Sequence, residues 1–474
     1  MADKVFSVVD FKRGLDVRRT PLTAPGGSLR ILENAVLNQG GEVEKRQAFA
    51  PMTTVGGNPA TTYMLGHRDT LHVFGFDAVT VPPGSLLVPA VYHQITGAPE
   101  TITEILDVEP FDDQFYVCMR GASGTTYCWY AGAFVHEADT SFSHGTFCRT
   151  WKGKMYRADG KFLRFSGINA PANNDPNSVT NPGAGFINIA LNDPDGEDIV
   201  SMEVFYASMA IMARLETQIW KLDPDPTKDE LQQLLRIGIV SPHSALMFGT
   251  GDVLFLSDSG VRSLKAQTLN LAANVGDVGS AIDPMLIPVI RMSGNNVHQA
   301  DAIVQPIQGR YWLAIGDTMY VLSYFPAGDI TAWSTFKPGF SVKAGGFAVV
   351  SNMVFVMDTA NNIYLYGGNS RNQYDSAKVT VRTPHLSADN PTQNKRIKSV
   401  DVMCQGQWSV SVGMLPNNTD AFELAATIQD NTYGIQSIPF AGYGTHFGTE
   451  LVHQAPGYAL IGALHFNLQE AVVK

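Results

Sequence analysis

Seven stretches of the chain repeat one pattern: an apolar, β-rich run, a polar Gly/Asp/Asn turn, then a second β-rich run. They begin near Asp69 (DTLHVFGF), Asp113 (DQFYVCMRGASGTTYCWY), Gly153 (GKMYRADGKFLRFS), Ala207 (ASMAIMARLETQIWKL), Gly251 (GDVLFLSDSGVRSL), Gly309 (GRYWLAIGDTMYVLSY) and Ser351 (SNMVFVMDTANNIYLYGG). Start to start they lie about 40 to about 58 residues apart, the spacing of propeller blades. One hairpin cannot bury its own apolar face, whereas a ring of stacked blades can. A doubly wound or barrel enzyme would need long helices between its strands, and the pattern offers none. It predicts an all-β chain whose propeller-like body, of roughly five to seven blades, spans residues 59–376.

Two irregular stretches interrupt that body. Residues 169–198 are rich in Pro, Asn, Asp and Gly, and a loop that long points to a functional or interface role. Residues 270–292 predict a short helix that begins near Asp277 and stops at Pro288. In DELQQLLRIGIV (229–240) the first half has helical spacing and the second half is β-branched, so strand is expected at its end.

The flanks read differently. Residues 1–58 form an extended, Pro-punctuated arm, with Ser28 as N-cap of a short helix over LRILENA and a strand after Gly40-Gly41. The arm is expected to pack on the C-terminal domain or on an adaptor. Residues 377–474 alternate with period two, as in KVTVRTPHL and KRIKSVDVMCQGQWSVSVGML, and predict a compact β-rich platform domain.

Composition narrows the function classes. An apolar fraction of 45% with 16% charged residues is that of a core-forming chain. No run is apolar and long enough for a signal peptide or a membrane span, so no membrane insertion and synthesis in a cytoplasm are expected. Cys118, Cys128, Cys148 and Cys404 have neither zinc-site nor disulfide-framework spacing and are expected to be buried thiols. The net charge is −11; residues 1–50 hold eight Lys/Arg against six Asp/Glu, which leaves −13 on the remainder. An acidic body disfavours static binding to nucleic acid, yet suits a surface past which DNA slides.

Candidate chemistry is sparse. Asp258-Ser259-Gly260 resembles a protease nucleophile segment, but it sits between two apolar strands as a hairpin turn would. The acidic clusters at 193–198 and 223–230 lack EF-hand spacing and read as solvated loops. His136, His144 and Cys148 are the nearest approach to a ligand cluster, without a further partner. Aromatics at blade ends (Trp129, Tyr130, Trp220, Trp312, Trp333, Tyr364, Tyr366) suit a carbohydrate groove or, more simply, packing between blades. No catalytic, cofactor or metal site is expected.

Residues 14–49, GLDVRRTPLTAPGGSLRILENAVLNQGGEVEKRQAF, resemble the opening of bacteriophage tail nozzle proteins, the tail tubular protein B-like or tail hub family. In that family a Gly-Leu start precedes Arg/Ser-Pro-Leu, a Pro-Gly pair, an Asn-Ala and a Gly-Glu-X-Glu-Lys-Arg strand. Segments 239–264, 275–286 and 330–336 resemble its propeller, and 395–412 its closing β-domain. The resemblance implies a structural virion protein and not an enzyme: a homo-oligomeric ring, usually of six copies, around the DNA exit channel. It further implies an adaptor, connector or tail tube protein as neighbour, tail fibre or spike proteins as possible additions, and double-stranded DNA in transit. Gly14, Leu15, Asp16, Arg18, Arg19, Pro21, Leu22, Asn34, Glu44 and Arg46 carry the motif and are the candidate assembly residues. The rival readings are a free-standing propeller binding a ligand or protein, and a sialidase-like propeller, whose repeated Asp box is missing.

Overall fold

A computed structural model describes residues 3–78, 86–192, 196–249, 251–266, 273–292, 294–388, 390–430 and 437–470. Among them, seven small sheets follow one another along the chain, each built outward from its first strand. The first blade comprises Tyr63–His67, Thr70–Gly75 and Ala90–Gln94, the last pairing in parallel with the middle strand. Antiparallel four-stranded blades start at Ile102–Phe111, Phe147–Trp151, Ser201–Phe205 and Leu246–Phe248. The sixth starts at Asp301–Gln305 and the seventh at Val342–Val350.

These first strands pack in sequence order, and Tyr63–His67 touches both Ile102–Phe111 and Val342–Val350, which closes the ring. The chain is therefore an all-β propeller of seven blades. Second strands lie between neighbouring blades and are buried on both faces: Ser208–Met212, Arg310–Ile315 and Met353–Asp358 are buried at every position. Continuous apolar runs such as MAIM and YWLAI follow from that double burial. The turns between first and second strands use left-handed residue pairs, Arg68-Asp69, Lys152-Gly153 and Ser351-Asn352, whose twist matches the strands they join. Asp258-Ser259 is likewise the two-residue turn of a hairpin, with Ser257 opposite Gly260.

The seventh blade takes its outermost strand from the other end of the chain. Phe49–Thr54 pairs antiparallel with Asn362–Tyr366, so the propeller begins before residue 59. Upstream, the arm is a series of short strands joined by turns. The short helix expected over LRILENA is absent: Ser28–Leu29, Ile31–Glu33 and Ala35–Leu37 are strands. Leu29, Leu32 and Ala35 are all fully buried, which mimics helical spacing; the cause is that short strands are broken by a bend at Arg30 and by a left-handed kink at Asn34 (φ 56). Ser28 caps nothing and instead donates from Oγ to the Pro25 carbonyl at 2.6 Å.

The C-terminal part is built from two sheets. One runs Ser437–Gly444, Lys395–Gln405, Leu460–Glu470, Val43–Lys45, Ala35–Leu37, with Asp3–Val8 also on Leu460–Glu470. The other holds Val379–Arg382, Gly448–His453, Trp408–Gly413 and Glu423–Ile428, and Ile31–Glu33 joins it to the outer strand Ile330–Phe336 of the sixth blade. Val400, Ile461 and Phe466 of the first sheet share one core with Val381, Val410 and Leu451 of the second and with Tyr311 and Leu313 of the blade.

Two further expectations change. The helix in the 270–292 segment is Asp283–Met292 and runs through Pro288. Burial of Leu286 and Ile290 against the core outweighs the backbone hydrogen bond that the proline removes. In 229–240 the strand is Glu230–Leu235, the half with helical spacing, and the β-branched end leaves the sheet. A register shift between Ile219 and Trp220, where Gln233 and Leu231 pair, breaks the alternation and produces that spacing. The stretch 169–198 is not one loop: residues 169–184 lie between the third and fourth strands of the third blade, Phe162–Phe165 and Gly185–Asn188, and bond to the 136–143 loop of the second, whereas Gly185–Asn188 is that fourth strand itself. Residues 193–195 of its acidic cluster lie outside the described residues. Among the described residues no helix is long and apolar enough to cross a membrane.

Candidate functional site

The motif residues of the arm converge where the propeller meets the C-terminal sheets. Gly14 (φ 56) presses against the sixth blade: a Cβ there would lie 2.7 Å from Ala332 Cβ and 2.9 Å from the Trp333 carbonyl. Leu15 beside it is buried. Asp16 is buried too, and its carboxylate accepts from Arg18 Nη2 at 2.7 Å and Nε at 3.0 Å. Those hydrogen bonds hold the Asp16 carboxyl below its ordinary range. Arg18 also donates to Ser280 Oγ at 3.4 Å, and Arg30 donates to the Arg19 carbonyl at 2.7 Å. The Pro21 carbonyl accepts from His385 N at 2.9 Å, which ties the arm to the C-terminal sheets. Leu22 is half-buried, whereas the Arg18 and Arg19 side chains face solvent.

Asn34 is the node of the joint. Its backbone N–H donates to the Thr335 carbonyl of the sixth blade at 2.7 Å, and Nδ2 donates to the Lys378 carbonyl at 2.8 Å. Its Oδ1 accepts from Lys337 N and Arg46 Nε, both at 2.9 Å. Arg46, buried, continues to Asp375 Oδ2 at 2.9 Å and lies 5.0 Å over the Phe49 ring. Glu44 pairs with Leu460, and burial raises its carboxyl although Arg310 pulls it down. Lys45, absent from the sequence-based set, is buried and donates to the Asp375 and Ala455 carbonyls at 2.5 and 2.7 Å. Desolvation lowers its ammonium to about 8. The only hint of it in the sequence is a Lys-Arg pair ending an otherwise alternating strand. Most of the candidate set is thus an internal joint, and Arg18, Arg19, Pro21 and Leu22 are what it leaves toward solvent.

The sequence reading missed a second site, on the propeller axis. Residues at or just ahead of the start of the first strand in all seven blades, within 58–62, 103–106, 146, 199–200, 242–243, 298–299 and 343–344, line two adjoining lobes of about 600 and 480 Å³. Both lobes include Glu104 and Arg120, an ion pair at 3.2 Å. Beneath them the axis is filled by buried polar groups. Asp107 accepts from Cys148 N at 2.9 Å and Tyr63 Oη at 3.3 Å; His243 donates from Nε2 to the Leu106 carbonyl at 2.9 Å. Asp301 accepts from Gly346 N at 2.9 Å and Phe347 N at 3.3 Å, and burial pushes its carboxyl up to about 6. Arg149 bridges Glu109 at 3.0 Å and Glu203 at 2.9 Å, linking the first strands of three blades. These bonds order the inner strands, and the open chemistry lies in the lobes above them. These acids were illegible because their partners, Arg149, Cys148 and the Gly346 and Phe347 amides, lie on other blades far along the chain.

The three-residue cluster weighed from sequence is not assembled. His136 pairs with the Thr140 carbonyl and His144 with the Thr126 carbonyl, while Cys148 lies buried beside Cys118 and Cys128. Among the described residues no three His, Cys, Asp or Glu side chains form a metal-binding group. Asp225 of the 223–230 cluster caps the 3₁₀ turn Pro226–Lys228.

No protein-family model matches the chain, and no curated protein matches it. Solved structures show a distant likeness, two of them as follows. A computationally designed protein, Ika8, is similar over 67% of this chain and 99% of its own, at 10% identity and a TM-score of 0.38. A luciferin-regenerating enzyme is similar over 56% of this chain and 89% of its own, at 11% identity and a TM-score of 0.34.

Proposed function

We propose that the chain is a structural virion subunit, a tail nozzle or hub whose copies, six in the family it resembles, ring the channel through which DNA leaves. On this reading it is not an enzyme; it retains packaged DNA and conducts it during ejection. Its neighbours are further copies, an adaptor, connector or tail tube protein, and fibre or spike proteins where the tail carries them. The observation that carries the reading is the joint at Asn34. There the arm supplies strands to the propeller and to both C-terminal sheets, and buried Lys45 and Arg46 tie them together. A subunit that bears load between a connector and a tail tip needs such a stiff coupling. The charge of −11 suits a lumen that repels phosphates and lowers friction during ejection.

The test is assembly. Purified chain mixed with its adaptor, viewed by negative-stain microscopy and mass photometry, is expected to give closed rings. A strictly monomeric chain at high concentration with the adaptor present overturns the reading. A free-standing ligand-binding propeller is the second reading, favoured by the axial lobes, and it predicts a monomer that binds through Arg120 and Gln299.

A further inference from the structure

The insertion that interrupts the third blade builds a cavity of its own. Bonds from Gly167 N to the Asn173 carbonyl (2.8 Å), Asn173 N to the Ala170 carbonyl (2.9 Å) and Ile168 N to the Pro182 carbonyl (3.1 Å) fold the insertion on itself. Asn174, buried, reaches across to the second blade and donates from Nδ2 to Ser143 Oγ at 2.9 Å and the His136 carbonyl at 3.3 Å. Between insertion and blade lies a space of about 590 Å³, lined among others by Tyr130, His136, Glu137, Asn169 and Asn181. That volume falls within the roughly 300–1,000 Å³ of small-molecule sites.

The lining selects the ligand. Among the described residues no Lys or Arg lines the cavity, and Arg157, the partner of Glu137, is buried and engaged by Glu137 and the Tyr116 hydroxyl, so the wall offers no cation to an anion. Glu137 is in turn neutralised by Arg157, and no metal-binding group is present among the described residues. What remains is a set of planar groups that both donate and accept, the amides of Asn169 and Asn181 and the imidazole edge of His136, beside the half-buried ring of Tyr130. Asn174 Oδ1, buried in the same wall, has no hydrogen-bond partner. Paired donors and acceptors suit vicinal hydroxyls, and an aromatic face suits the C–H face of a pyranose.

We propose that this cavity is a binding site for a neutral oligosaccharide, with Tyr130 as the stacking platform and Asn169 and Asn181 as the hydroxyl-reading groups. The proposal is independent of ring formation, since every residue of the site belongs to one chain.

Saturation-transfer NMR and calorimetry of the full chain with maltotriose, mannotriose and cellotriose test it. At least one trisaccharide is expected to bind in the millimolar range, with Tyr130→Ala weakening it about tenfold and Asn181→Ala by a similar factor. Tyr130→Phe, which keeps the ring, is expected to retain binding, and unchanged melting curves for the three variants show that the fold is kept. Absence of saturation transfer from all three sugars, or equal binding by parent and Tyr130→Ala, overturns the proposal.

Discussion

Arg46 Nη1 donates to Asp375 Oδ2 at 2.9 Å across 329 residues of sequence, and the arginine side chain is only 1% exposed. The same guanidinium bonds Asn34 through Nε, so one side chain holds the arm, the sixth blade and the segment leading into the C-terminal sheets. Arg46→Leu is expected to destabilise the chain by about 2–3 kcal/mol in chemical denaturation. That is below the range for a fully buried pair, because Asp375 is partly solvated and keeps some hydration. Arg46→Lys should recover little, since an ammonium cannot serve Asn34 and Asp375 in the same fork.

Gly66 lies where the first blade meets the seventh. A Cβ at this position would collide with the Val349 carbonyl, a backbone atom that cannot swing aside. Gly66→Ala should therefore prise apart the two strands that close the ring. A loss of about 3 kcal/mol or more is expected, with hydrogen exchange rising first in Tyr63–His67 and Val342–Val350. Uniform exchange across the blades would show that closure is not the weak point.

The propeller was legible in the sequence because doubly buried second strands write continuous apolar runs, as Arg310–Ile315 and Met353–Asp358 do. The closure was not legible. Phe49–Thr54 contains Pro51 and alternates poorly, and its partner Asn362–Tyr366 lies some three hundred residues away. The arm failed for a related reason: Leu29, Leu32 and Ala35 follow helical spacing only because the strand is broken at Arg30 and again at Asn34, which takes a left-handed φ. The buried ions of the joint were half visible. Glu44 and Arg46 stood out within the motif, but nothing near them in sequence marks Asp375 as the partner of Arg46 or explains a buried Lys45.

Cys118, Cys128 and Cys148 share one buried cluster, and Cys404 is buried elsewhere. Burial pushes the Cys148 thiol up to about 12 and raises the Cys128 thiol well above the ordinary value; the Cys118 thiol, pulled down by Cys128, is raised well above it on balance by its contact with Cys148 and by burial. Buried, protonated thiols react slowly. A disulfide reagent should find no rapidly reacting thiol in the native chain and four after denaturation. Fast labelling of the native protein would show that the second and third blades open readily.

Arg19 exposes its side chain, and among the described residues it is its carbonyl that bonds, to Arg30. Arg19→Glu should therefore leave monomer stability within about 0.5 kcal/mol. If the exposed part of the arm faces a neighbour in a ring, the same variant should lower ring yield in mass photometry severalfold, more at low salt than at high. Ring yield equal to the parent at every ionic strength would remove Arg19 from the interface.

Asp301 is buried on the propeller axis, and burial pushes its carboxyl up to about 6 while three backbone N–H groups and nearby His243 pull the other way. In the unfolded chain the group titrates near about 3.9, so between these values the folded state binds more protons than the unfolded state. Stability from this group is complete below about pH 4 and falls as pH rises toward about 6, by about 2–3 kcal/mol in all. Asp301→Asn cannot ionise. Its amide nitrogen faces backbone donors, so it should be less stable than the parent at pH 4. The gap should narrow by about 2 kcal/mol by pH 7 as the parent alone takes on a buried charge. Denaturant titrations of both proteins from pH 4 to 7 measure that gap directly, and a constant difference would mean that Asp301 keeps one ionisation state across the range.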